Sequence, residues 1–301
     1  MKKIIKVILI TTLLLPVSPA IAADTSPVIA IIDTGTNSDL FPGSIVTEVC
    51  IVSSYTCPNG KLTMEGPGAA NLPATKNKDL NHGTQLISIM LRVNPSAKII
   101  PIRIVPVNRN GLPGLYSLDN VKEALDWVIA NRVKYNIAVV SLSQGKVFAN
   151  CKVPTGMADQ ISALKKAEVP LIVAVGNDGN RSSVNSPACL SDTVAIGATD
   201  NPHPGFAGIT YDEKAAPYIA RYSNGTQGQT DFFLNARWNV KQLDGSTKFT
   251  VGTSNATAAM SAYWLLNRKA TFDETFSSIL AATTDAKNEF ISGRYIFIPS
   301  A

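Results

Sequence analysis

Val28-Ile29-Ala30-Ile31-Ile32-Asp33-Thr34-Gly35 decides the fold. Five apolar, mostly β-branched residues in a row, ended by a polar residue and a turn, read as a strand buried on both faces. Such strands belong to parallel sheets covered by helices, and ligands gather at the strands' carboxyl ends. Asp33 stands at such an end.

Outward from this strand the same alternation repeats. His82-Gly83-Thr84 opens a helix over 85–92, and 98–107 is the next strand. Ser117 caps a helix to about Tyr135, with Val121, Leu125, Val128 and Ile129 on one face. The stretches 137–143, 169–175 and 193–198 read as further strands, with a helix over 159–168 between the first two. Strands alternating with helices predict an α/β fold with a mainly parallel central sheet and helices on both faces. Asn37 to Lys78 is rich in Gly, Pro, Asn and Ser and reads as a long surface excursion. From Asn201 to Lys248 the pattern loosens into turns and short strands. There is no repeat or low-complexity tract, so one domain is expected.

The start reads as a signal peptide over 1–22. Lys2, Lys3 and Lys6 precede the apolar run Val7 to Val17, and Ala20-Ile21-Ala22 offers a small-x-small cleavage site. About 278 of the 301 residues remain, enough for one large core. Losing three lysines and no acid lowers the formal charge from +5 to +2. No basic block points to nucleic acid, and no second long apolar run points to a membrane span. The first strand follows the cleavage site closely, so no N-terminal prodomain is expected in 23–301.

Cys50, Cys57, Cys151 and Cys189 are an even set in an exported chain, which predicts disulfides. Of three pairings, Cys50–Cys57 with Cys151–Cys189 is favoured; free thiols or a metal site are the alternative. Zinc is poorly supported, since no CxxC occurs and His82 and His203 are far apart.

Near the C-terminus, Thr250-Val251-Gly252-Thr253-Ser254-Asn255-Ala256 gives a tight turn and a serine at the first turn of a helix toward Trp264. On its own it reads as a capped, Ala-rich buried helix. With Asp33-Thr34-Gly35 and His82-Gly83-Thr84 upstream, the chain order becomes Asp, His, Ser, one of the orders in which a single triad geometry recurs. These motifs resemble those of the subtilisin-like serine proteases, the subtilases. Ile31-Ile32-Asp33-Thr34-Gly35 resembles the family's aspartate motif, Asn81-His82-Gly83-Thr84 its histidine motif, and Gly252-Thr253-Ser254-Asn255-Ala256 its serine motif. The resemblance covers essentially the whole mature chain.

What it implies is a subtilisin-like three-layer α/β/α fold and an exported serine endopeptidase. Ser254 would be the nucleophile, His82 its base and Asp33 the group that orients the ring. Asn177 and the Ser254 N–H would form the oxyanion hole. An extended peptide would lie along Ser141, Leu142, Ser143, Gln144 and Gly145 on one side and Ala174, Val175 and Gly176 on the pocket floor, where small residues leave room for a large apolar side chain. The implied partner is a peptide or protein substrate, with a separate inhibitor or chaperone taking the place of a prodomain. The implied location is the periplasm or the outside.

The chain departs from the family pattern in several places. Asn255, Ala258 and Ala259 replace the usual Met and Pro-His, and Gln85 follows the histidine motif. Gln144 stands where Leu is usual, and no Ala-Pro-Gly precedes the serine motif. Calcium is common in the family, but the acids here are scattered and no Asp-x-Asp-x-Asp loop appears, so no cofactor is expected, with a calcium site built partly from backbone carbonyls as the alternative. The competing reading is a catalytically silent subtilase fold that binds peptides. An α/β esterase is disfavoured because Ser254 lacks the Gly-x-Ser-x-Gly setting, and a dinucleotide site because 176–179 lacks GxGxxG spacing.

Overall fold

The computed structural model describes residues 26–72, 77–200, 217–225 and 228–298. The signal-peptide reading of 1–22, and His203, lie outside them. Among the described residues twelve strands form: β1 (Val28–Asp33), β2 (Val49–Ile51), β3 (Thr63–Glu65), β4 (Lys98–Arg103), β5 (Ile137–Leu142), β6 (Leu171–Ala174), β7 (Thr193–Thr199), β8 (Phe232–Asn235), β9 (Trp238–Lys241), β10 (Thr247–Thr250), β11 (Thr284–Lys287) and β12 (Ser292–Ile296). Five α-helices accompany them: α1 (His82–Val93), α2 (Leu118–Asn131), α3 (Met157–Lys166), α4 (Thr253–Leu266) and α5 (Phe272–Ala281).

Ten strands make one sheet in the order β11-β12-β8-β7-β6-β5-β1-β4-β2-β3. Pairing is parallel from β2 through β12, and only the two edge pairs, β2 with β3 and β11 with β12, are antiparallel. β9 and β10 form a separate hairpin.

β1 displays the layering. Ile29 and Ile31 face a core shared with Leu86, Ile87 and Met90 of α1 and with Ala256, Ala259 and Trp264 of α4. Val28, Ala30 and Ile32 face the opposite core, with Val121 and Leu125 of α2 and Ile161 and Leu164 of α3. The sheet is thus the middle of three layers, α/β/α, and the unbroken apolar runs follow from burial on both faces.

α4 is the helix buried on every side of its first three turns. Every residue from Thr253 to Ala262 is buried, and its small side chains let it lie against α1 and the undersides of β5, β6 and β7. Thr257 and Ser261 satisfy their hydroxyls by donating to the carbonyls of Thr253 and Thr257, both at 2.8 Å.

The long excursion of 37–78 carries more structure than its composition signals. β2 joins the parallel sheet beside β4, and Val49, Cys50, Ile51, Ala69 and Ala70 are buried. Three-residue strands are too short for a periodicity to register, so their turn-forming neighbours dominate the reading.

Candidate active-site cleft

The strand order reverses at β1. The chain runs from β1 to β4 on one side, then back across to β5 and onward to β8 on the other. Such switch points open a crevice outside the strands' carboxyl ends. β1 delivers Asp33 to that edge, β5 delivers Ser143 and Gln144, and β6 runs into Gly176-Asn177-Asp178. A cleft of about 870 Å³ lies there, lined in part by Thr34, His82, Ser143, Gln144, Gly145, Ala174, Gly176, Asn177, Thr253 and Ser254.

Asp33 and His82 are in direct contact, with Nδ1 of the ring 2.8 Å from Oδ1 of the carboxylate. The Thr34 N–H donates to the same oxygen at 2.7 Å. Thr34 also ties strand to helix, because its hydroxyl accepts from the Gly83 N–H at 2.9 Å and donates to the Leu80 carbonyl at 3.2 Å. A carboxylate can only accept, so Nδ1 carries the proton and Nε2 is left bare to take another.

Burial opposes both charges. It pushes Asp33 up, but the His82 charge and hydrogen bond, the Thr34 N–H and the Gln144 amide outweigh it and hold the carboxyl below its ordinary value. Burial pushes His82 down, but the Asp33 charge, its hydrogen bond and the more distant Asp79 carry the ring above the ordinary histidine value. The His82 side chain keeps 28% of its surface exposed, against 2% for Asp33, so the ring is reachable from the cleft.

Ser254 is the second residue of α4, where unpaired backbone N–H groups and the helix dipole favour negative charge. Its carbonyl receives the Ser143 hydroxyl at 3.5 Å. His82 and Ser254 line the same cleft. Asn177 stands beside the serine, with its Oδ1 accepting from the Thr253 N–H (2.9 Å) and hydroxyl (3.0 Å). With its oxygen so held, Asn177 has its Nδ2 donors to offer elsewhere.

The expected cleft segments contribute selectively. Ser143, Gln144, Gly145, Ala174 and Gly176 line the cleft. Ser141, Leu142 and Val175 are fully buried instead, and Leu142 and Val175 belong to the core on the α2 and α3 side. Ser141 and Leu142 lie within β5 and are enclosed by the sheet, whereas 143–145 emerge past its end; at 174–176 the alternation of an extended segment turns Val175 inward between two cleft residues. The expected apolar pocket also meets polar company, since Asn177, Asp178, Asn180 and Asn185 line that end.

Two disulfides form, Cys50–Cys57 and Cys151–Cys189. Among the described residues no group of three or more His, Cys, Asp or Glu is placed to hold a metal ion, and no helix is long and apolar enough to cross a membrane.

Three residues at the candidate site had no role assigned from the sequence. Thr253 fixes Asn177, and Tyr116 lines the cleft with its phenol pushed up to about 12 by burial and the nearby Asp33 charge. Asn224, wholly buried, braces the Gly176–Asn180 turn. Ser-Asn-Gly in a loop signals only a turn, so nothing in the sequence marks Asn224.

Comparison with known proteins gives the family and the fold. The model of the Subtilase family matches residues 24–286. The minor extracellular protease Epr of Bacillus subtilis (strain 168) is 28% identical over 164 residues, 51% of this chain and 23% of that protein. The extracellular serine proteinase of Thermus sp. (strain Rt41A) is 30% identical over 132 residues, 42% of this chain and 29% of that protein. The matched regions thus span under a third of the length of these relatives. The solved structure of a cold adapted subtilisin-like serine proteinase superposes with a TM-score of 0.63 at 18% identity, covering 95% of each chain. With the family model spanning most of its length, this chain belongs to the subtilase family.

Proposed function

We propose that this chain is an exported serine endopeptidase that acts through Asp33, His82 and Ser254. The observation that carries the reading is the buried Asp33 carboxylate on His82 Nδ1, in one cleft with Ser254. His82 Nε2 takes the proton as Ser254 Oγ bonds to the scissile carbonyl carbon, and the oxygen gains the negative charge. Asn177 Nδ2 and the Ser254 N–H donate to that oxyanion. The imidazolium returns its proton to the leaving amine, giving an acyl-enzyme. Water then attacks by the same route, with His82 again as base, and frees Ser254.

The substrate is a peptide or protein chain laid extended against the Ser143–Gly145 backbone. Two disulfides and the extracellular names of both relatives support export, to the periplasm or beyond.

The second reading is a silent, peptide-binding subtilase fold. The observation in its favour is that no hydrogen bond joins His82 to Ser254 among the described residues, where Nδ1 is engaged by Asp33. Catalytic hydrogen bonds often close only around substrate, which keeps the enzymatic reading ahead.

Mass spectrometry after fluorophosphonate treatment separates the two. One adduct on Ser254, lost in His82→Ala, is expected of the protease. A folded protein that takes no adduct would overturn it in favour of the binder.

A further inference from the structure

Gln144 closes the side of Asp33 that His82 leaves open. Oδ1 of the carboxylate takes His82 Nδ1 and the Thr34 N–H. Oδ2 takes Gln144 Nε2 at 3.0 Å. An ionised carboxylate accepts and never donates, so the amide's nitrogen must be the end that faces it. The same nitrogen lies 3.4 Å from His82 Nδ1. Because the Nδ1 proton already points at Asp33, this approach sets two N–H donors side by side on one carboxylate. Asp33 is 2% exposed, whereas Gln144 is half-buried in the cleft wall. The carboxamide therefore stands between the carboxylate and whatever fills the cleft.

We propose that Gln144 is a positioning residue for the Asp33–His82 pair: its carboxamide pins Asp33 Oδ2 so that Oδ1 stays on the ring, and its N–H dipole draws on the carboxylate charge that holds the His82 proton. The positive end of that dipole also faces Nδ1–H, which disfavours the imidazolium. Gln144 thus extends the neutral, proton-accepting form of His82 to lower pH than Asp33 alone would allow. The other groups acting on the ring are Asp79, on the turn before α1, which works the opposite way, and Asp33 itself. Tyr116, Lys146 and Asp178 line the same cleft. Tyr116 is an uncharged phenol across the working range, so Gln144 is the neutral donor in contact with the pair. The catalytic consequence rests on the protease reading; the effect on His82 does not.

The test is the His82 titration, followed by proton NMR of the ring in the folded full chain. The chain has two histidines, and His203→Gln assigns the signals. Gln144→Leu, which keeps bulk and removes the donor, is expected to raise the His82 midpoint by roughly half a pH unit. Gln144→Glu sets a second carboxylate beside Asp33 and is expected to raise it by about one unit or more. The acid limb of kcat/KM should move by the same amounts, with kcat falling and KM nearly constant. In the wild type, the Gln144 side-chain N–H signals should titrate together with His82, a reading that needs no variant.

An unmoved His82 midpoint in folded Gln144→Leu and Gln144→Glu would overturn the proposal. So would wild-type Gln144 signals that ignore the His82 titration. A raised KM with kcat and midpoint unchanged would make Gln144 part of the substrate wall instead. If the midpoint shifts but no fluorophosphonate adduct forms, the positioning role stands and the protease reading fails.

Discussion

A Cβ on Gly83 would sit 2.1 Å from the carbonyl oxygen of Gly35. The first turn of α1 therefore lies directly on the backbone that leaves β1. Gly35 is equally constrained, with φ of +102° and the Ala70 carbonyl 2.5 Å from where its own Cβ would be. These two glycines let strand end and helix start approach closely enough for Asp33 to reach His82. Each follows a motif residue, so the glycines in Asp-Thr-Gly and His-Gly-Thr are spacers as well as turn formers.

Gly83→Ala is the direct test of that contact. The methyl group can be placed only by moving α1 away from β1, an overpacking cost of about 1–3 kcal/mol. The displacement falls on the His82 ring, so activity should drop by more than the loss of folded protein accounts for. Thermal melts alongside kcat at a temperature where the variant is fully folded would check it. Normal kcat in a folded variant would show that the contact does not set the ring.

Asn177→Ala is expected to lower kcat about 10²- to 10³-fold with little change in KM. Thr253 should behave differently from Asn177. It holds the amide's oxygen through both its N–H and its hydroxyl, so Thr253→Val loses the 3.0 Å hydroxyl contact and keeps the backbone one. A smaller fall in kcat, about tenfold or less, is expected because Asn177 remains present but less firmly aimed. Equal losses in both variants would mean that Thr253 does more than orient the amide.

The acid limb of kcat/KM should have its midpoint above the ordinary histidine value of about 6.5, because His82 is held above it. On the proposed protease reading the neutral ring is the base, so activity rises as pH climbs through that midpoint. Stability runs in the opposite sense. A histidine raised on folding stabilises most below its unfolded pKa, and that contribution is lost as pH rises through the folded one. Asp33 is lowered on folding, so its share is present above the unfolded carboxyl value and lost as pH falls through the folded one. Asp33→Asn should remove both effects and bring His82 down toward or below 6.5, where burial is unopposed except by Asp79. Chemical denaturation across pH 3 to 9, set against the wild type, would measure this.

Asp33 stood out because the apolar run of β1 stops there at a small-residue turn, and the His82 and Ser254 motifs because each opens a helix among small residues. The motif order then did what no single motif could. β1, β5 and β7 were legible because burial on both faces leaves an unbroken apolar run. A motif read as a string does not show that the side chains of Ser141 and Leu142 are enclosed within β5, or that Val175 turns inward to the core. Gln144 and Asn224 were opaque for another reason. Their partners are 111 and 46 positions away in sequence for the Asp33 and Asp178 contacts, and an amide side chain has no periodicity to betray it.

Cys151–Cys189 closes 38 residues, and Cys189 Sγ lies 3.5 Å from the hydroxyl of Ser186, which follows the cleft residue Asn185. Lys146, a cleft residue, and Ser186 exchange backbone hydrogen bonds of 3.3 and 2.8 Å. Replacing both cysteines with alanine should cost about 3–4 kcal/mol on a chain-entropy estimate. At a temperature where both proteins are folded, KM should rise more than kcat falls, since the bridge supports the pocket and does not touch the Asp33–His82 pair. Denaturant titration and peptide kinetics on the same preparations would read both numbers.

Asn224 gives the sharpest separation of stability from positioning. Its Oδ1 accepts from the Asp178 and Asn180 N–H groups, each at 2.9 Å. Its Nδ2 reaches the Val175 carbonyl (3.1 Å), Asp178 Oδ2 (3.0 Å) and Asn185 Oδ1 (3.3 Å). One buried side chain thus grips the turn on both sides of Asn177. Asn224→Ala leaves two N–H groups and a carbonyl without that partner, a cost of about 2–4 kcal/mol. Ile279, buried on α5, serves as the control. Ile279→Ala should cost a similar 2–5 kcal/mol through a cavity and leave the turn alone. If Asn224 merely stabilises, the two variants will show equal kcat once both are fully folded. If it aims Asn177 at the oxyanion, Asn224→Ala alone will lose kcat, and adding Asn177→Ala to it will cost less than in the wild type, because the amide being removed was already misdirected.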